Sequence, residues 1–235
     1  MSLRCAMRKA MRKIFFAQDA QKAYNKYVCA KSDDTAATLP PVPSPTGRCK
    51  NNMANRYYEL TVAGVKRQLP VLNVTKDLAI AGFIMLGDNE RVDACAAALA
   101  KKVPANTEII LTAETKGIPL AAELARQLGM KRFVVARKSI KAYMENPIWV
   151  DDVSITTKGT QKLCLNDPDI ELIKDSQVLL LDDVISTGGS MRALRELTEK
   201  AGGKVCGEAC VLAEGDASKR DDIIFLEPLP LFDAE

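Results

Sequence analysis

Residues 178–190 read VLLLDDVISTGGS, and this passage indicates the kind of sheet that the chain forms. It opens with a continuous apolar run, which is typical of a strand buried on both faces of a parallel sheet. Two adjacent aspartates, Asp182 and Asp183, come next, and small hydroxyl residues and glycines then lead into a helical pattern. Such small residues let backbone N–H groups converge on a phosphate at the start of a helix. The passage therefore predicts a buried strand, an anion-binding loop and a helix.

Strand-like and helix-like segments alternate along the rest of the chain. Apolar strands that alternate with amphipathic helices predict an α/β fold, with a mostly parallel, twisted sheet and helices on both of its faces. Gly129 is the predicted stop of the second helix, and residues 153–165 are predicted to form a hairpin with Lys158 and Gly159 at its turn. The predicted strands are residues 108–113, 132–137, 177–183, 204–213 and 221–227, and the predicted helices are residues 90–103, 117–129 and, with its preceding loop, 186–203.

The composition excludes several kinds of chemistry. The chain of 235 residues contains no histidine, which excludes a histidine general base, a Ser-His-Asp relay and histidine metal ligands. Its seven cysteines form no CxxC pair, which suits reduced thiols in the cytoplasm better than a disulfide framework or a zinc site. The longest nearly uncharged apolar stretch, residues 78–87, is too short to cross a bilayer. We therefore expect a cytoplasmic protein that does not enter a membrane.

Charge separates the first 52 residues from the rest. Residues 1–52 carry a net charge of +7 and residues 53–235 a net charge of −4. The basic segment ends in a proline-rich stretch, and we predict a disordered N-terminal extension there and a folded domain over residues 53–235. Three interpretations of the extension stay open: a transit-like or interaction arm, a short nucleic-acid-binding arm, or residues that precede a natural start at Met53.

The acidic pair and the small-residue loop together indicate a particular ligand. The loop lacks the GxxxxGK[ST] order of a Walker A loop and the GxGxxG order of a dinucleotide fold. A phosphate-binding loop beside two carboxylates fits a ligand with a phosphate at one end and hydroxyl groups, or a hydrated magnesium ion, a sugar's length away. Phosphorylated ribose has this form. The alternative is that Asp182 and Asp183 only solvate a strand end and that the loop is an ordinary turn and helix cap.

Residues 178–190 closely resemble the phosphoribosyl pyrophosphate (PRPP) signature of the type I phosphoribosyltransferases, most of all its adenine and xanthine branch. The resemblance implies the fold of that family, with a small hood, and binding of PRPP together with Mg²⁺. It implies that the acids hold the ribose hydroxyls, directly or through magnesium and water, while the loop holds the 5′-phosphate. The implied PRPP-binding residues are Asp182, Asp183, Val184, Ile185, Ser186, Thr187, Gly188, Gly189 and Ser190.

Two upstream segments extend the resemblance. LTAETKGIPLA, residues 111–121, resembles the family's pyrophosphate loop, and VARKSIKAY, residues 135–143, resembles the start of its mobile catalytic loop. The alternatives are a helix entry with a solvated lysine and a solvated loop. The implied pyrophosphate-binding residues are Glu114, Thr115, Lys116, Gly117, Arg137, Lys138 and Lys141.

The resemblance also implies a reaction and its catalytic groups. Ser186 stands where the hypoxanthine-guanine enzymes carry an aspartate, which favours adenine or xanthine enzymes. Glu145 is the nearest match to a glutamate that the adenine enzymes use for proton transfer. The implied catalytic residues are thus Asp182, Asp183, Lys116 and Glu145. No metal site built by protein residues alone is expected, because magnesium arrives with PRPP.

We therefore expect a purine phosphoribosyltransferase of purine salvage, with adenine as the favoured base. A hood formed mainly by residues 56–88 is expected to cover the base, and a homodimer is expected from the family. The alternatives are a xanthine or hypoxanthine/guanine enzyme, or a non-catalytic regulator of transcription that senses PRPP. Such a regulator carries a winged helix ahead of this fold, and 52 residues are too few and too poor in apolar periodicity for one, so nucleic acid is not an expected partner.

Overall fold

The computed structural model describes residues 56–152 and 161–234, in which strands and helices alternate. The strands are β1 (Tyr57–Val62), β2 (Val65–Asn73), β3 (Ala79–Ala81), β4 (Ile109–Ala113), β5 (Val134–Ala136), β6 (Ile148–Asp152), β7 (Gln161–Leu165), β8 (Gln177–Ile185), β9 (Lys204–Glu214), β10 (Glu227–Leu229) and β11 (Leu231–Phe232). The helices are α1 (Asn89–Ala100), α2 (Ile118–Gln127), α3 (Asp167–Ile173) and α4 (Gly189–Lys200), with a short 3₁₀ helix at Gly215–Lys219.

The main sheet has five strands in the order β10-β9-β8-β4-β5, and every neighbouring pair is parallel. Its central strand β8 is buried on both faces because successive side chains of a strand point to opposite sides. Val178 and Leu180 pack in one apolar cluster with α4, whereas Leu179 and Leu181 pack in the other with α1 and α2. The prediction of an α/β fold with a parallel sheet covered on both faces is confirmed.

Proline and glycine mark the helix boundaries in the way that their backbone preferences require. Pro119 lies in the first turn of α2, where a missing N–H breaks no hydrogen bond. Gly129 has a φ of 72° just beyond the same helix, which confirms its prediction as the stop. Gly188 has a φ of 75° immediately before α4 and thereby turns the chain from β8 into the helix.

Three expectations about elements differ from the structure. Residues 221–227 do not form one continuous strand. Ile224 bridges to β9 and the N–H of Leu226 donates to the carbonyl oxygen of Val211, but the paired strand begins only at Glu227. The hairpin exists, but its first strand is β6, which starts at Ile148 rather than within residues 153–157; the predicted turn lies outside the described residues. Helix α3 was not predicted, because seven residues are too few for a periodic apolar pattern.

A second, antiparallel sheet has the strand order β1-β2-β3-β11. Its first three strands lie within residues 56–88, the segment predicted to form the hood, and its fourth comes from the C-terminal end of the described chain. Leu60, Leu69 and Ala81 of this sheet pack in the same apolar cluster as α1 and α2. Residues 1–52 lie outside the described residues. None of the helices in the described part of the chain combines the length and the apolar run that a membrane span requires.

Candidate active site

The two signature aspartates lie in the last part of β8, at the edge of the sheet where parallel strands end. Asp183 is almost completely buried, and its Oδ2 atom forms an ion pair of 2.7 Å with Lys116 Nζ. The N–H of Asp183 also donates a hydrogen bond of 2.9 Å to Asp182 Oδ1. The side chain of Lys116 is half exposed, so its ammonium group lies between a buried acid and solvent.

Negative charge at this edge of the sheet is only partly balanced. The pKa of Asp182 is raised above its ordinary value because the carboxyl is buried and because the charge of Asp183 lies beside it. The N–H of Asp183 and the ammonium group of Lys116 oppose the shift without cancelling it. A divalent cation or a set of sugar hydroxyls would relieve this repulsion. Within residues 56–152 and 161–234, no group of three acidic, cysteine or histidine side chains is placed to hold a metal ion.

The loop after β8 exposes backbone N–H groups at the start of a long helix. No side chain caps α4, a helix of 12 residues, so the N–H groups of its first turn stay available to a ligand. Ser186 and Thr187 are exposed, whereas Gly188 is buried beneath them. Val184 and Ile185 direct their side chains into the two apolar clusters, which leaves their backbone as the part that could face a ligand.

The loop between β4 and α2 lies directly against the acidic pair. A Cβ atom at Gly117 would overlap Thr112 Oγ1 and would lie 3.5 Å from the Cα atom of Asp182. Only glycine therefore permits this approach of the loop to β8. The peptide bond between Glu114 and Thr115 is cis. The structure thus brings the predicted pyrophosphate loop and the PRPP signature together.

Glu114 joins the same loop to the segment after β5. Its Oε2 atom accepts hydrogen bonds from the backbone N–H of Lys138 at 2.9 Å and from Arg137 Nε at 3.3 Å. The pKa of Glu114 is lowered, chiefly by the Lys138 N–H and further by the charge of Arg137, although partial burial opposes the shift. Lys138 and Lys141 lie on the same segment; Lys141 Nζ donates to Ser139 Oγ at 2.6 Å.

Glu145 has no described contact with the acidic pair. Its side chain is exposed in the segment between β5 and β6, and it forms no hydrogen bond or ion pair with any described residue. Its neighbours in the chain are bonded: Asn146 Nδ2 donates to Asp167 Oδ2 at 3.1 Å, and the N–H of Met144 donates to the carbonyl oxygen of Lys141 at 3.0 Å. The role of Glu145 stays a prediction.

Two residues of the site were not singled out in the sequence. Thr112 is the polar member of the otherwise apolar strand β4, and its buried Oγ1 has no hydrogen-bond partner among the described residues. Arg192 donates from Nη1 to the carbonyl oxygen of Thr187 at 3.1 Å and so holds the phosphate loop from the helix side. The signal for Thr112 was a hydroxyl within a buried run, whereas nothing in the sequence marked Arg192.

Comparisons with known proteins agree with this geometry. The sequence model of the phosphoribosyl transferase domain matches residues 85–228, which is more than half of the chain and includes both loops and the acidic pair. The chain belongs to the phosphoribosyltransferase family.

Relatives and solved structures differ in the purine that their names specify. The hypoxanthine/guanine phosphoribosyltransferase of Methanococcus voltae is 32% identical over 120 residues, which are 51% of this chain and 60% of that protein. The chain spans about 60% of the length of the curated relatives that it matches. The adenine phosphoribosyltransferase of Thermoanaerobacter pseudethanolicus is 25% identical, with a TM-score of 0.52 over 61% of this chain and 84% of that one. The APRTase of Giardia lamblia, at 21% identity and a TM-score of 0.53 over 68% and 93% of the two chains, shares the fold.

Proposed function

We propose that the protein transfers a 5-phosphoribosyl group from PRPP to a purine base, giving a nucleoside monophosphate and pyrophosphate in purine salvage. The ion pair of 2.7 Å between Lys116 Nζ and Asp183 Oδ2 carries the proposal, because it joins the pyrophosphate loop to the ribose-binding acids. A helix cap or a solvated strand end would not require a lysine of another loop to meet a buried aspartate. Membership of the family supports the same activity.

Each part of PRPP has a group of residues that suits it. The N–H groups from Ser186 to Ser190 suit the 5′-phosphate because they lie at the start of α4. Asp182 and Asp183 suit the ribose hydroxyls, for which ionised carboxylates are strong acceptors. Lys116 suits the departing pyrophosphate, and Arg137, Lys138 and Lys141 lie on the segment that Glu114 holds beside it. These assignments place C1′ of the ribose between the acids and the pyrophosphate loop.

The reaction is a displacement at C1′ in which a purine nitrogen forms a bond to carbon while the bond to pyrophosphate breaks. Positive charge grows on the ribose as in other glycosyl transfers, and the two carboxylates lower its energy. Lys116 lowers the energy of the negative charge that collects on the departing pyrophosphate. Orientation of the ribose by the loop and the acids supplies the rest, and no strong base is required. We propose Glu145 as the proton acceptor once its segment meets a bound base.

Magnesium fits the acidic pair and is proposed to bind together with PRPP. Asp182 and Asp183 are the residues that would hold it, directly or through water, since they offer the oxygen ligands that this ion prefers. When bound, it would neutralise part of the pyrophosphate charge. The pKa of Asp182 is raised by burial and by the adjacent charge of Asp183, and a bound cation would favour the ionised carboxylate.

Adenine is the base that we propose, with hypoxanthine, guanine and xanthine as the alternatives. Ser186 supports adenine or xanthine because it offers no carboxylate to a 6-oxopurine. The curated relatives carry the name hypoxanthine/guanine phosphoribosyltransferase and support the alternatives. We propose that the antiparallel sheet within residues 56–88 forms the hood over the base, and that the protein acts as a cytoplasmic homodimer.

The deciding experiment combines an assay with one double variant. The full chain is incubated with PRPP, Mg²⁺ and each of the four bases, and nucleotide and pyrophosphate are measured. Asp182→Asn with Asp183→Asn is expected to remain folded, as judged by circular dichroism and its unfolding midpoint, and to lose about a hundredfold or more in turnover.

The matched control is Asp151→Asn with Asp152→Asn. These residues are also adjacent aspartates at a strand end, so they undergo the same chemical change away from the signature. The control is expected to keep full turnover. If the parent protein bound PRPP but turned over none of the bases, the protein would be a PRPP sensor and not an enzyme. A folded D182N/D183N variant with most of its turnover would overturn the site itself.

A further inference from the structure

A cleft with a volume of about 440 Å³ opens behind the phosphate loop, on the side of α4. Three arginines line it: Arg192 and Arg195 from α4, and Arg220 from the segment after the 3₁₀ helix. Glu208 and Asp222 also contribute to the lining, so three guanidinium groups face two carboxylates and one positive charge remains uncompensated. The proposed reaction assigns no role to Arg195, Arg220, Glu208 or Asp222, and Arg192 meets the phosphate loop only through the carbonyl oxygen of Thr187.

Most N–H groups of these arginines have no partner among the described residues. Arg192 donates only from Nη1, to the carbonyl oxygen of Thr187, and Arg195 donates only from Nη2, to Glu208 Oε1. Arg220 uses Nε and Nη2 on Asp222 and Glu208, which leaves Nη1 available. A guanidinium group offers paired N–H groups in a planar fork that matches two oxygens of a phosphate. The cleft therefore presents available donors from three directions.

Glu208 holds two of these donors in place. Its side chain is only 7% exposed, and it accepts from Arg195 at 2.7 Å and from Arg220 at 3.3 Å. Charge-assisted hydrogen bonds to a buried acid fix the guanidinium groups, so less conformational entropy is lost when a ligand binds. Glu208 thus holds the guanidinium groups of Arg195 and Arg220 in an arrangement that can accept an anion.

We propose that this cleft is a second anion site, which binds an organic phosphate whether or not PRPP occupies the phosphate loop. Its volume lies in the usual range for small-molecule sites and exceeds what a phosphate ion alone fills. The buried side chain of Met191 adds an apolar wall for the body of a phosphate ester. The inference rests on the arginine geometry and holds whether or not the chain turns over PRPP.

The cleft lies against the back of the phosphate loop. A Cβ atom at Gly188 would be 3.4 Å from Arg220 Nη1 and 3.7 Å from Arg192 Nη1. The carbonyl oxygen of Thr187 already accepts from Arg192, so an anion in the cleft competes for the guanidinium group that holds the loop. Occupation of the cleft is therefore expected to change the affinity of the loop for its own phosphate, and the reverse change must be equal.

The test follows the arginine side chains directly. Nitrogen-15-labelled full-length protein is titrated with inorganic phosphate and with phenyl phosphate, and the Nε–H resonances of Arg195 and Arg220 are recorded by NMR. Both resonances are expected to shift saturably, with phenyl phosphate binding more tightly. Repeating the titration with Mg²⁺ and PRPP at saturation fills the proposed PRPP site. The shifts are expected to persist there, whereas their loss would assign all phosphate binding to the PRPP loop and overturn the proposal.

Two variants with opposite expected effects complete the test. Arg195→Gln is expected to weaken phenyl phosphate binding about tenfold, because one charge-assisted contact is lost. Asp222→Asn, at a carboxylate that is 63% exposed, is expected to strengthen binding, because it frees donors of Arg220 and removes a negative charge. The matched control Arg126→Gln removes an exposed arginine of α2 that pairs with Glu123 and is expected to change nothing. Unchanged or weaker binding by the folded D222N variant would overturn the site.

Discussion

Lys116 connects the two halves of the proposed site through one ammonium group. Its partner Asp183 is buried, while half of the lysine side chain is exposed, so the charge can remain on the acid or turn toward an incoming anion. A buried carboxylate that loses its partner lowers the free energy of unfolding, because its charge is no longer compensated. The lysine therefore stabilises the fold before a ligand binds and is available to pyrophosphate afterwards.

Replacement of Lys116 by alanine separates these two tasks. Lys116→Ala is expected to weaken PRPP binding and turnover strongly, but to affect binding of the monophosphate product much less, since the product has no pyrophosphate. The free energy of unfolding is expected to fall by about 1 kcal/mol, a small value because the lysine is half exposed. Titration calorimetry with PRPP and product, and denaturant unfolding, measure the effects.

The double variant Lys116→Ala with Asp183→Asn is the control for the stability effect. It removes the buried charge together with its partner, so stability is expected to recover while turnover stays low. Equal losses of affinity for PRPP and product in Lys116→Ala would place the lysine outside the pyrophosphate site.

Glu114 provides a pH-dependent bond between two loops. Its pKa lies below the ordinary value of 4.5, so its ionised form stabilises the folded state above pH 4.5, and this contribution is lost as the pH falls through the lowered pKa. Glu114→Gln is expected to reduce the free energy of unfolding by about 1 kcal/mol at pH 7, with a difference from the parent that shrinks below pH 4.5. Urea unfolding across this pH range measures it.

Glu145→Gln is the matched control for the pH experiment, because Glu145 is an exposed glutamate of the neighbouring segment. It is expected to follow the parent at every pH. A difference between Glu114→Gln and the parent that did not depend on pH would show that shape, and not charge, is responsible.

At the scale of elements, the approach of the loop before α2 to strand β8 depends on a single missing side chain. Gly117 lies where any Cβ atom would overlap Thr112 Oγ1 of β4. Since Thr112 is fully buried in the central sheet, it cannot move aside cheaply. The position of the whole loop relative to Asp182 therefore follows from the contact between these two residues.

Gly117→Ala tests this contact. It is expected to destabilise the protein by about 1–3 kcal/mol, as overpacking does, and to weaken PRPP binding. Thr112→Ala in the same chain removes the overlapping oxygen and is expected to restore most of both losses. Gly82→Ala is the matched control, because a Cβ atom there meets nothing closer than 3.5 Å. If Thr112→Ala failed to rescue Gly117→Ala, the overlap would not be what positions the loop.

The sequence predicts the elements whose signal is local. Strand β8 and the loop after it were predicted because an apolar run, two acids and two glycines follow one another within residues 178–190. Strand β11 was not, because Leu231 and Phe232 form a strand only by pairing with Ile80 and Ala79, far away in the chain. Arg192 and Arg220 likewise meet only after α4 has folded back on the sheet. The acidic pair and the phosphate loop could therefore be predicted from local sequence, whereas the arginine cleft depends on contacts between distant parts of the chain.

At the scale of the molecule, the five-stranded parallel sheet and the four-stranded antiparallel sheet share one apolar cluster. Strand β11 ties the C-terminal end of the described chain to residues 79–80, and Phe232 contacts Tyr58 with ring centroids 5.3 Å apart. The antiparallel sheet is therefore completed by residues from both ends of the described chain. We therefore expect the antiparallel sheet to depend on residues from both ends of the described chain.

Removal of residues 1–52 tests whether the described chain suffices. The strands of the parallel and antiparallel sheets and every residue of the proposed site lie between residues 56 and 234, so we expect the site to form without the basic extension. The variant of residues 53–235 is expected to match the parent within about 0.5 kcal/mol in unfolding free energy, and roughly twofold in PRPP-dependent turnover. The opposite truncation, removal of residues 231–235, is the control and is expected to destabilise the protein, because it deletes β11. Denaturant unfolding, turnover and sedimentation are measured for the parent and for both truncated variants. A loss of activity in the 53–235 variant together with a smaller sedimenting species would make the basic extension part of an oligomer contact on which the site depends.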